Sequence, residues 1–438
     1  MWSELLRIPN TWGGVPIFGF GVLLVAWLAL GAWGIAFTAR QAGWRAAIGA
    51  HLPTILIVAL GLWLFIPQYF PDGVPIRGYG LMVLLGSVTG IGMAAHRARQ
   101  SGVNPEEIVG LAVAMFLSGV VGARLFFVIE YWEQIREHTW LATLKSALSY
   151  TEGGLVVYGA FFGAMLGFTW YVRRRGLPWL AMADLIAPCM LAGLAFGRIG
   201  CLLNGCCYGG ESTAPWAVTF PRQNAPSIPG KPPKLSAPYA DQAASGRFHG
   251  FRIVTSSETS ELPKIAQVDP RSPAERAGLR KGDIVVSINN KKVATVDGAH
   301  AATLEAVVHG QPVAIRTADG AVRRLAALSP PPARSRPVHP TQIYSAVNAG
   351  LLAWVLWSYY PFRRREGEVT ALMLTLYPIA RYFEEWIRID EPSVFGTGLS
   401  ISQNISLILL VVAAAMWWRL RRRPAGRLDF PQKLAPVA

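Results

Sequence analysis

Long apolar stretches recur along this chain, separated by short polar segments. Hydrophobic residues make up 52% of its 438 residues and charged residues only 15%, a balance that is uncommon in a soluble protein. A segment of about 20 apolar residues is long enough to cross the hydrocarbon core of a bilayer. The sequence therefore predicts an all-α polytopic membrane protein with about nine transmembrane helices. The predicted spans lie near residues 17–37, 52–69, 78–95, 107–129, 156–172, 181–197, 342–360, 369–388 and 400–418.

Basic residues follow alternate spans. Arginine and lysine are enriched in cytoplasmic loops of membrane proteins, so this alternation predicts an N-terminus outside the cell and a C-terminus in the cytoplasm. The net charge of +15 is then a sign of membrane topology, and no nucleic-acid partner is expected. The basic clusters are Arg40 with Arg45, Arg97 with Arg99, Arg173–Arg175, Arg363–Arg365, and Arg419 with Arg421–Arg423.

The apolar spans stop between Gly210 and Pro337, and the charge alternation places this insert outside the membrane. Within it, Ile265–Asp283 reads IAQVDPRSPAERAGLRKGD and precedes the strand-like IVVSINNKKV. This order of strand, short Ser-Pro helix, turn and strand resembles a PDZ domain over 248–328. The resemblance implies a small α+β domain that binds a peptide or protein C-terminus, with His249–Arg252 as the candidate loop. A structural spacer that covers the mouth of the site is the alternative.

The composition also predicts how the chain is divided. Val15–Leu23 (VPIFGFGVL) and Val74–Met82 (VPIRGYGLM) are similar. Only the second copy carries an arginine and a tyrosine, so the first spans are expected to be an addition. The predicted segments are additional N-terminal spans over 1–72, a membrane core over 73–221 and 338–420, linkers over 222–247 and 329–337 around the PDZ-like domain of 248–328, and a cytoplasmic tail over 421–438.

Polar residues cluster at the outer ends of the predicted spans. A charge near the bilayer centre costs ~2.5–3.5 kcal/mol on insertion scales, so it usually has a partner or a function. The arginines predict an anionic ligand, and guanidinium groups suit phosphate. Each residue also has a structural interpretation, as an interfacial anchor, a snorkelling side chain or a fold-fixing ion pair. The set comprises Tyr79, Arg124, Glu130, Tyr158, Arg198, Asn204, His339, Gln342, Tyr344, Tyr377, Arg381, Glu385 and Arg388.

The glycine-rich segment Gly197–Gly209 reads GRIGCLLNGCCYG. Glycines allow close backbone approach and unusual dihedral angles, and a loop at membrane depth is tolerated where it lines a cavity. We therefore expect this segment to form one wall of the pocket. Cys201, Cys206 and Cys207 lack the paired spacing of a zinc site. They are expected to be packing residues, with a ligand or disulfide role as the alternative, and no metal or cofactor is predicted.

Five motifs, in order, resemble the prolipoprotein diacylglyceryl transferase family over 74–221 and 337–418. The resemblance implies transfer of the diacylglyceryl group of phosphatidylglycerol to the lipobox cysteine thiol of a prolipoprotein, in the bacterial cytoplasmic (inner) membrane. A thioether forms and glycerol phosphate leaves. The motifs are RGYGLM at Arg77–Met82, EGGLVVYGA at Glu152–Ala160, Gly197–Gly209 followed by PWAVTFP at Pro215–Pro221, HPTQIY at His339–Tyr344, and RYFEE at Arg381–Glu385.

The resemblance also implies residue roles. Arg198 and Arg381 would hold the phosphate, Glu385 would orient Arg381, and Tyr79 and Asn204 would line the lipid pocket. The expected catalytic residues are Arg198, Arg381, Glu385 and Tyr158, and the expected phosphatidylglycerol-binding residues are Arg198, Arg381, Tyr79, Asn204, Gly209, His339, Tyr377 and Arg124.

The chain departs from the family pattern at several positions. Tyr158 stands where some members have a histidine. Its ordinary pKa near ~10 makes it a poor base, so a hydrogen-bonding role is expected and the base is unassigned. Cys201 and Cys206 replace frequent asparagine and glutamate residues, and Ser345 replaces a frequent acidic one.

Two other functions share some of these features. A non-catalytic phospholipid transporter or scaffold would use the same arginines. An intramembrane protease with a PDZ domain is the other alternative, although neither HExxH nor GxSxG occurs in the sequence.

Overall fold

The computed structural model describes residues 3–137, 139–149, 154, 156–224, 234–257, 260–388, 393–394, 396–424 and 426. Parts of the predicted first linker and of the predicted cytoplasmic tail lie outside these residues. The chain forms two compact units. One comprises Met1–Leu81, Leu203–Gly205 and Phe220–Arg336, and the other comprises Met82–Leu202, Cys206–Thr219 and Pro337–Ala438.

The N-terminal residues form short strands and a helical hairpin. The first span begins at Val22 and not near residue 17, because a turn in which Gly19 has a φ of +71° precedes the helix. Strand β1 pairs with β4, and β2 pairs with β3, all antiparallel. A π-helical turn over Gly61–Phe65 joins α2 to α3. The elements are β1 (Glu4–Ile8), β2 (Thr11–Trp12), β3 (Val15–Pro16), α1 (Val22–Ala42), α2 (Trp44–Leu60), α3 (Ile66–Tyr69) and β4 (Val74–Arg77).

Six helices follow, of which α5 and α8 pack closely through small residues. A Cβ on Gly122 would lie 2.4 Å from the carbonyl oxygen of Gly159, and a Cβ on Gly159 would lie 2.4 Å from that of Gly122. Membrane helices associate through such small-residue contacts because lipid supplies no hydrophobic drive between them. These helices are α4 (Gly78–Gln100), α5 (Pro105–Glu130), α6 (Trp132–Ile135), α7 (Trp140–Leu148), α8 (Val157–Arg174) and α9 (Trp179–Asn204).

The insert is a small α+β body. Strands β10, β9, β7 and β8 form one sheet in that order, and β5 pairs antiparallel with β6. Its core contains the fully buried side chains of Phe251, Ile265, Ile288 and Ile315. The elements are α10 (Ala237–Ala244), β5 (Phe251–Ser257), β6 (Ser260–Val268), α11 (Pro273–Arg276), β7 (Val285–Ile288), β8 (Lys291–Lys292), α12 (Val296–Val308), β9 (Val313–Thr317) and β10 (Val322–Leu325).

Helix α10 lies inside the segment predicted to be a linker. Its Tyr239 and Ala243 are 1% and 0% exposed and form a cluster with Val307 of α12. The body of the insert therefore begins before residue 248, because these apolar side chains bury a surface that the proline-rich composition did not suggest.

The C-terminal helices complete the second unit. Asp184 of α9 accepts hydrogen bonds from the backbone N–H groups of Gly367 (2.7 Å) and Thr370 (2.8 Å). It therefore caps the N-terminus of the helix Glu368–Glu384. The two short strands pair antiparallel, and Ser400 forms a capping box with Gln403. The elements are α13 (Thr341–Tyr359), α14 (Glu368–Glu384), β11 (Ser393–Val394), β12 (Leu399–Ser400) and α15 (Ile401–Arg421).

Polar side chains lie at both ends of α9, where Asp184 near its start is buried and Arg198 near its end is half-buried. Helix capping therefore also places a polar group in the protein interior, and the position of the predicted polar set at the outer ends of the spans remains a prediction.

Six helices in the described residues are long and apolar enough to cross a membrane. The other three predicted spans coincide with α8, α13 and α14, which are shorter or more polar. The chain is thus a mostly helical, multi-pass membrane protein, and the count of nine remains a prediction. The six are Val22–Gln41, Trp44–Tyr69, Gly78–Gln100, Pro105–Glu130, Trp179–Asn204 and Ile401–Arg421.

Candidate functional site

Backbone hydrogen bonds join three of the motif segments within the second unit. The N–H of Gly209 donates to the carbonyl of His339, and the N–H of His339 donates to the carbonyl of Gly210, both at 2.9 Å. Gly210 also donates to the carbonyl of Ile387 at 3.0 Å, and Gly209 forms a β-bridge with Arg388. The glycine-rich segment, the HPTQIY motif and the residues after RYFEE are therefore held side by side.

Gly209 stands at the centre of this junction. A Cβ there would lie 2.8 Å from the Cβ of His339 and 2.9 Å from both the carbonyl oxygen of Ile387 and the Cγ2 of Thr341. Only glycine fits without displacing a neighbour. Gly205 has a φ of +77°, which favours glycine, whereas a Cβ on Gly197 would meet nothing within 4 Å. The expectation of close backbone approach is confirmed at Gly209 and wrong at Gly197.

The predicted pairing of Arg381 with Glu385 is confirmed. Arg381 is 9% exposed and Glu385 is 7% exposed, and Nη1 of Arg381 donates to Oε2 of Glu385. Arg381 also donates through Nη2 to Oγ of Ser402 at 2.9 Å. The Nε of Arg388 lies 3.9 Å from Oε2 of Glu385. One buried carboxylate thus lies between two arginines, which keeps positive charge in place and fixes the orientation of Arg381.

Arg198 has a different environment. It is half-buried near the C-terminal end of α9. Among the residues that the structure describes, none forms a hydrogen bond or ion pair with its guanidinium group. Its donors are therefore available to a ligand, while those of Arg381 are partly engaged.

A polar chain lies beside the junction. Nδ1 of His339 lies 3.3 Å from the hydroxyl of Tyr344, which accepts a 2.7 Å hydrogen bond from Nε1 of Trp216. These contacts fix the orientation of both His339 and Tyr344. The hydroxyl of Ser345 donates at 2.7 Å to Glu384. The acidic group missing at position 345 is therefore supplied by the neighbouring helix.

Arg124 is engaged in a separate arrangement. Its guanidinium donates to the carbonyl oxygens of Ala147 (2.7 Å), Ser146 (2.8 Å), Ser149 (2.7 Å) and Gly154 (3.0 Å). These are the C-terminal carbonyls of α7 and of the chain that follows it. Arg124 thus holds this segment in place, and its assignment as a phosphatidylglycerol-binding residue remains a prediction.

The other predicted site residues lie in several elements. Tyr158 is in the first turn of α8 and half-buried, and Tyr377 lies one turn before Arg381 on α14. Tyr79, near the start of α4, and Asn204, at the end of α9, belong to the unit that contains the insert. Glu152 and two other residues of its motif lie outside the described residues.

The three clustered cysteines are brought together. The sulfur atoms of Cys201, Cys206 and Cys207 all lie within 4.8 Å of one another. Hydrogen bonds with the other two thiols lower the pKa of Cys207, and the positive charges of Arg388 and Arg198 act in the same direction.

Sequence reasoning missed Ser402, Glu384 and Trp216. A serine or a glutamate at a helix end and a tryptophan in a turn each have common structural interpretations. Their partners are 21 to 128 residues away along the chain, and a single sequence gives no signal for such pairing.

An apolar groove ends near Arg198. A cavity of about 610 Å³ lies among α4, α5 and α9 and is lined by residues that include Ser87, Gly90, Met190 and Gly197. Gly197 immediately precedes Arg198, so the groove extends to the residue beside the arginine. A second apolar cavity, of about 480 Å³, is lined by residues of α8, α9, α14 and α15.

The apolar helices and the arginine-bearing junction define a polytopic membrane protein with a polar site suited to an anionic group. The sequence matches the family model described as prolipoprotein diacylglyceryl transferase over residues 67–419. Because that match covers most of the chain, this protein belongs to the prolipoprotein diacylglyceryl transferase family. It is a membrane transferase of lipoprotein biosynthesis.

Similar proteins whose names state an activity support this assignment. The phosphatidylglycerol–prolipoprotein diacylglyceryl transferase of Rhodopirellula baltica is 33% identical over 456 aligned residues, which cover 95% of this chain and 88% of the relative. A similarly named enzyme of Clostridium perfringens is 32% identical over 34% of this chain and 56% of its own length. One of Clostridium tetani is 31% identical over 36% of this chain and 60% of its own length.

Proposed function

We propose that this chain transfers the diacylglyceryl group of phosphatidylglycerol to the lipobox cysteine thiol of a prolipoprotein, in the inner membrane of a bacterium. The thiol loses its proton and its sulfur forms a bond to the diacylglyceryl carbon. The bond between that carbon and the phosphate oxygen breaks, and glycerol phosphate leaves with the electron pair. The site faces the exterior, where secreted prolipoproteins arrive.

The observation that carries this proposal is the contrast between the two arginines. Arg381 is buried and fixed by Glu385 and Ser402, so its charge is already oriented before a ligand arrives. Arg198 is half-buried and has no acceptor among the described residues. Fixed positive charge stabilises the negative charge that develops on a leaving phosphate. Arg198 supplies the free guanidinium donors for phosphate oxygens.

The apolar groove of 610 Å³ supports a lipid substrate. It is lined by side chains of three helices and reaches Gly197, so acyl chains in the groove would place a lipid headgroup near Arg198. Met190 and Ser87 lie along this path. A soluble phosphate ester would have no use for such a groove.

The remaining site residues have supporting roles in this proposal. Tyr158 donates a hydrogen bond to the substrate, and Tyr377 lines the site one turn from Arg381. His339, held by Tyr344, orients the headgroup, and Gly209 keeps the junction closed. Tyr79 and Asn204 line the lipid pocket.

A transfer assay tests the proposal. Purified protein in lipid nanodiscs is incubated with labelled phosphatidylglycerol and a peptide that contains a lipobox cysteine. The expected product is a peptide with one diacylglyceryl group on the cysteine sulfur, and a peptide with serine at that position stays unmodified. Phosphatidylglycerol binding without any thioether product would instead favour a lipid transporter or scaffold.

The insert is proposed to be a PDZ-like domain that recruits a protein rather than a part of the catalytic site. Its strands and helices follow the predicted order. Its two connecting segments pair with each other, through a β-bridge between Pro221 and Arg334 and a hydrogen bond from Arg222 N–H to Ala333 O (2.9 Å). The two ends of the insert therefore lie side by side, and in the sequence they adjoin the motif segments.

A peptide would compete with helix α10 for the edge of this domain. The N–H of Phe251 donates to the carbonyl of Gly246 (3.3 Å) and that of Ile253 to the carbonyl of Ser245 (3.1 Å). These are backbone donors of β5, the strand that follows the predicted His249–Arg252 loop. Binding of a C-terminus there would require the segment after α10 to move.

Replacing residues 237–328 with a short glycine-serine linker separates the two roles of the insert. Transfer to a soluble lipobox peptide is expected to persist at the wild-type rate. Loss of that activity, with the protein still folded and inserted, would show instead that the insert shapes the mouth of the site.

A further inference from the structure

The chain reverses direction at the end of α9 and brings Cys206 and Cys207 back to Cys201. Gly205 has a φ of +77°, and the N–H of Cys206 donates to the carbonyl of Cys201 at 3.1 Å. This is the hydrogen bond of a Schellman turn, in which a glycine in the left-handed conformation ends a helix. The turn returns Cys206 and Cys207 to the last helical turn, beside Cys201. Their spacing along the sequence lacks the paired pattern of a zinc site, so the cluster depends on this turn.

We propose that Cys201, Cys206 and Cys207 together bind one thiophilic d¹⁰ metal ion, Zn²⁺ or Cu⁺. Their sulfur atoms lie within 4.8 Å of one another. Three thiolates around a tetrahedral zinc ion with bonds of ~2.3 Å lie roughly 3.8 Å apart. Shifts of less than about 1 Å in the three side chains would therefore close the site around an ion. Thiolate sulfur is the ligand that Cu⁺ and Zn²⁺ prefer over Mg²⁺ or Ca²⁺.

The surrounding charges suit a bound metal. Three thiolates and one Zn²⁺ carry a net charge of −1, and with Cu⁺ the charge is −2. The guanidinium groups of Arg388 and Arg198 are close enough to act electrostatically on Cys207. They would balance this excess negative charge, which an isolated trithiolate site near a membrane would leave uncompensated.

The backbone around the thiols is fixed by its neighbours. Cys207 has a φ of +57°, a conformation that non-glycine residues rarely adopt. Its carbonyl accepts a 2.6 Å hydrogen bond from the hydroxyl of Thr341, and the carbonyl of Cys206 accepts one of 2.7 Å from Nε2 of Gln342. The cysteine segment is thus held by the first residues of α13 before any ion binds. A metal would brace the turn that leads into Gly209.

Metal binding and thiol protection test this proposal. The full chain is purified in nanodiscs under reducing, metal-free conditions and titrated anaerobically with Zn²⁺ or with Cu⁺, each against a competing chelator. Thiols are then alkylated and located by mass spectrometry. We expect one ion per chain and protection of Cys201, Cys206 and Cys207 together. The ion that competes better with its chelator identifies the metal.

Variants make the test specific. Cys201→Ser, Cys206→Ser and Cys207→Ser should each weaken metal binding by more than the 10–100-fold typical of losing an outer-shell partner. Cys189→Ser is the matched control, since Cys189 is buried elsewhere on α9 and its thiol lies at hydrogen-bond distance from the carbonyl of Leu185. It should bind the ion as tightly as the wild type.

Two results would overturn the proposal. One is a chain that takes up neither ion and whose three thiols react at the same rate with and without metal. The other is a disulfide between two of the three cysteines in protein isolated without reductant, which would assign the cluster to redox chemistry. Neither result depends on whether the chain transfers lipid.

Discussion

Gly209→Ala is a sharp test of the junction that holds the site together. The new methyl carbon would lie 2.8 Å from the Cβ of His339 and 2.9 Å from the carbonyl oxygen of Ile387 and the Cγ2 of Thr341. Non-bonded carbon atoms prefer separations of about 3.5–4.0 Å. Each neighbour must therefore retreat by roughly 0.6–1 Å, and overpacking of this kind typically costs about 1–3 kcal/mol.

Displacement of these neighbours changes the geometry of the site. Gly209 and Gly210 hold His339 and Ile387 through hydrogen bonds of 2.9 Å and 3.0 Å, and Arg388 follows Ile387. Misplacement of catalytic groups by about 1 Å can slow a reaction about 100-fold. We expect a loss of this size in the rate of thioether formation, together with a lower unfolding temperature.

The matched control is Gly350→Ala on α13, where a Cβ would meet nothing within 4 Å. Its transfer rate should equal that of the wild type. If Gly209→Ala also keeps the wild-type rate and unfolding temperature, the packing around Gly209 does not define the site, and the argument from the junction is wrong.

Three further predictions follow from the same contacts. Arg198→Ala should abolish transfer with a stability change within about ±0.5 kcal/mol, because none of the described residues bonds to its guanidinium group. Arg381→Ala leaves Glu385 buried without its main partner and should also destabilise the chain by about 3–5 kcal/mol. Thermal unfolding and the transfer assay separate the two effects. Ser402→Ala removes a hydrogen bond to a charged group, worth about 1.5–3 kcal/mol, and should slow transfer less than Arg381→Ala. Burial lowers the pKa of His300 in the insert, so its unfolded form binds protons more readily and the insert should lose stability as pH falls below about 6.5. Amide protection factors within 251–325, corrected for the intrinsic exchange rate at each pH, should be lower at pH 5.5 than at pH 7.5, and the difference should be smaller in His300→Gln.

The sequence identified the segments that form the site better than it identified the role of each side chain. The motifs at Gly209, His339 and Arg381 are joined as expected, because each carries residues whose polarity or size is unusual at a helix end. Arg124 shows the limit. Its charge is visible in the sequence, but its partners are backbone carbonyls of 146–154, which carry no sequence signal.

The insert and the cysteines show two other limits. Helix α10 was not predicted because its segment is rich in proline. Its role depends on packing against α12. The thiol cluster was hidden by spacing, since it depends on the reversal of the chain at Gly205. In both, the missing information is a tertiary contact between segments whose local pattern is ordinary.

The stoichiometry of the reaction is the strictest test of whether this chain transfers the diacylglyceryl group to the lipobox cysteine. Glycerol phosphate and diacylglyceryl peptide are measured in the same reaction, with purified protein, phosphatidylglycerol and a lipobox peptide. We expect equal amounts of both products, and neither product with Arg198→Ala. Glycerol phosphate without modified peptide, or no product from a folded chain that binds phosphatidylglycerol, would contradict it.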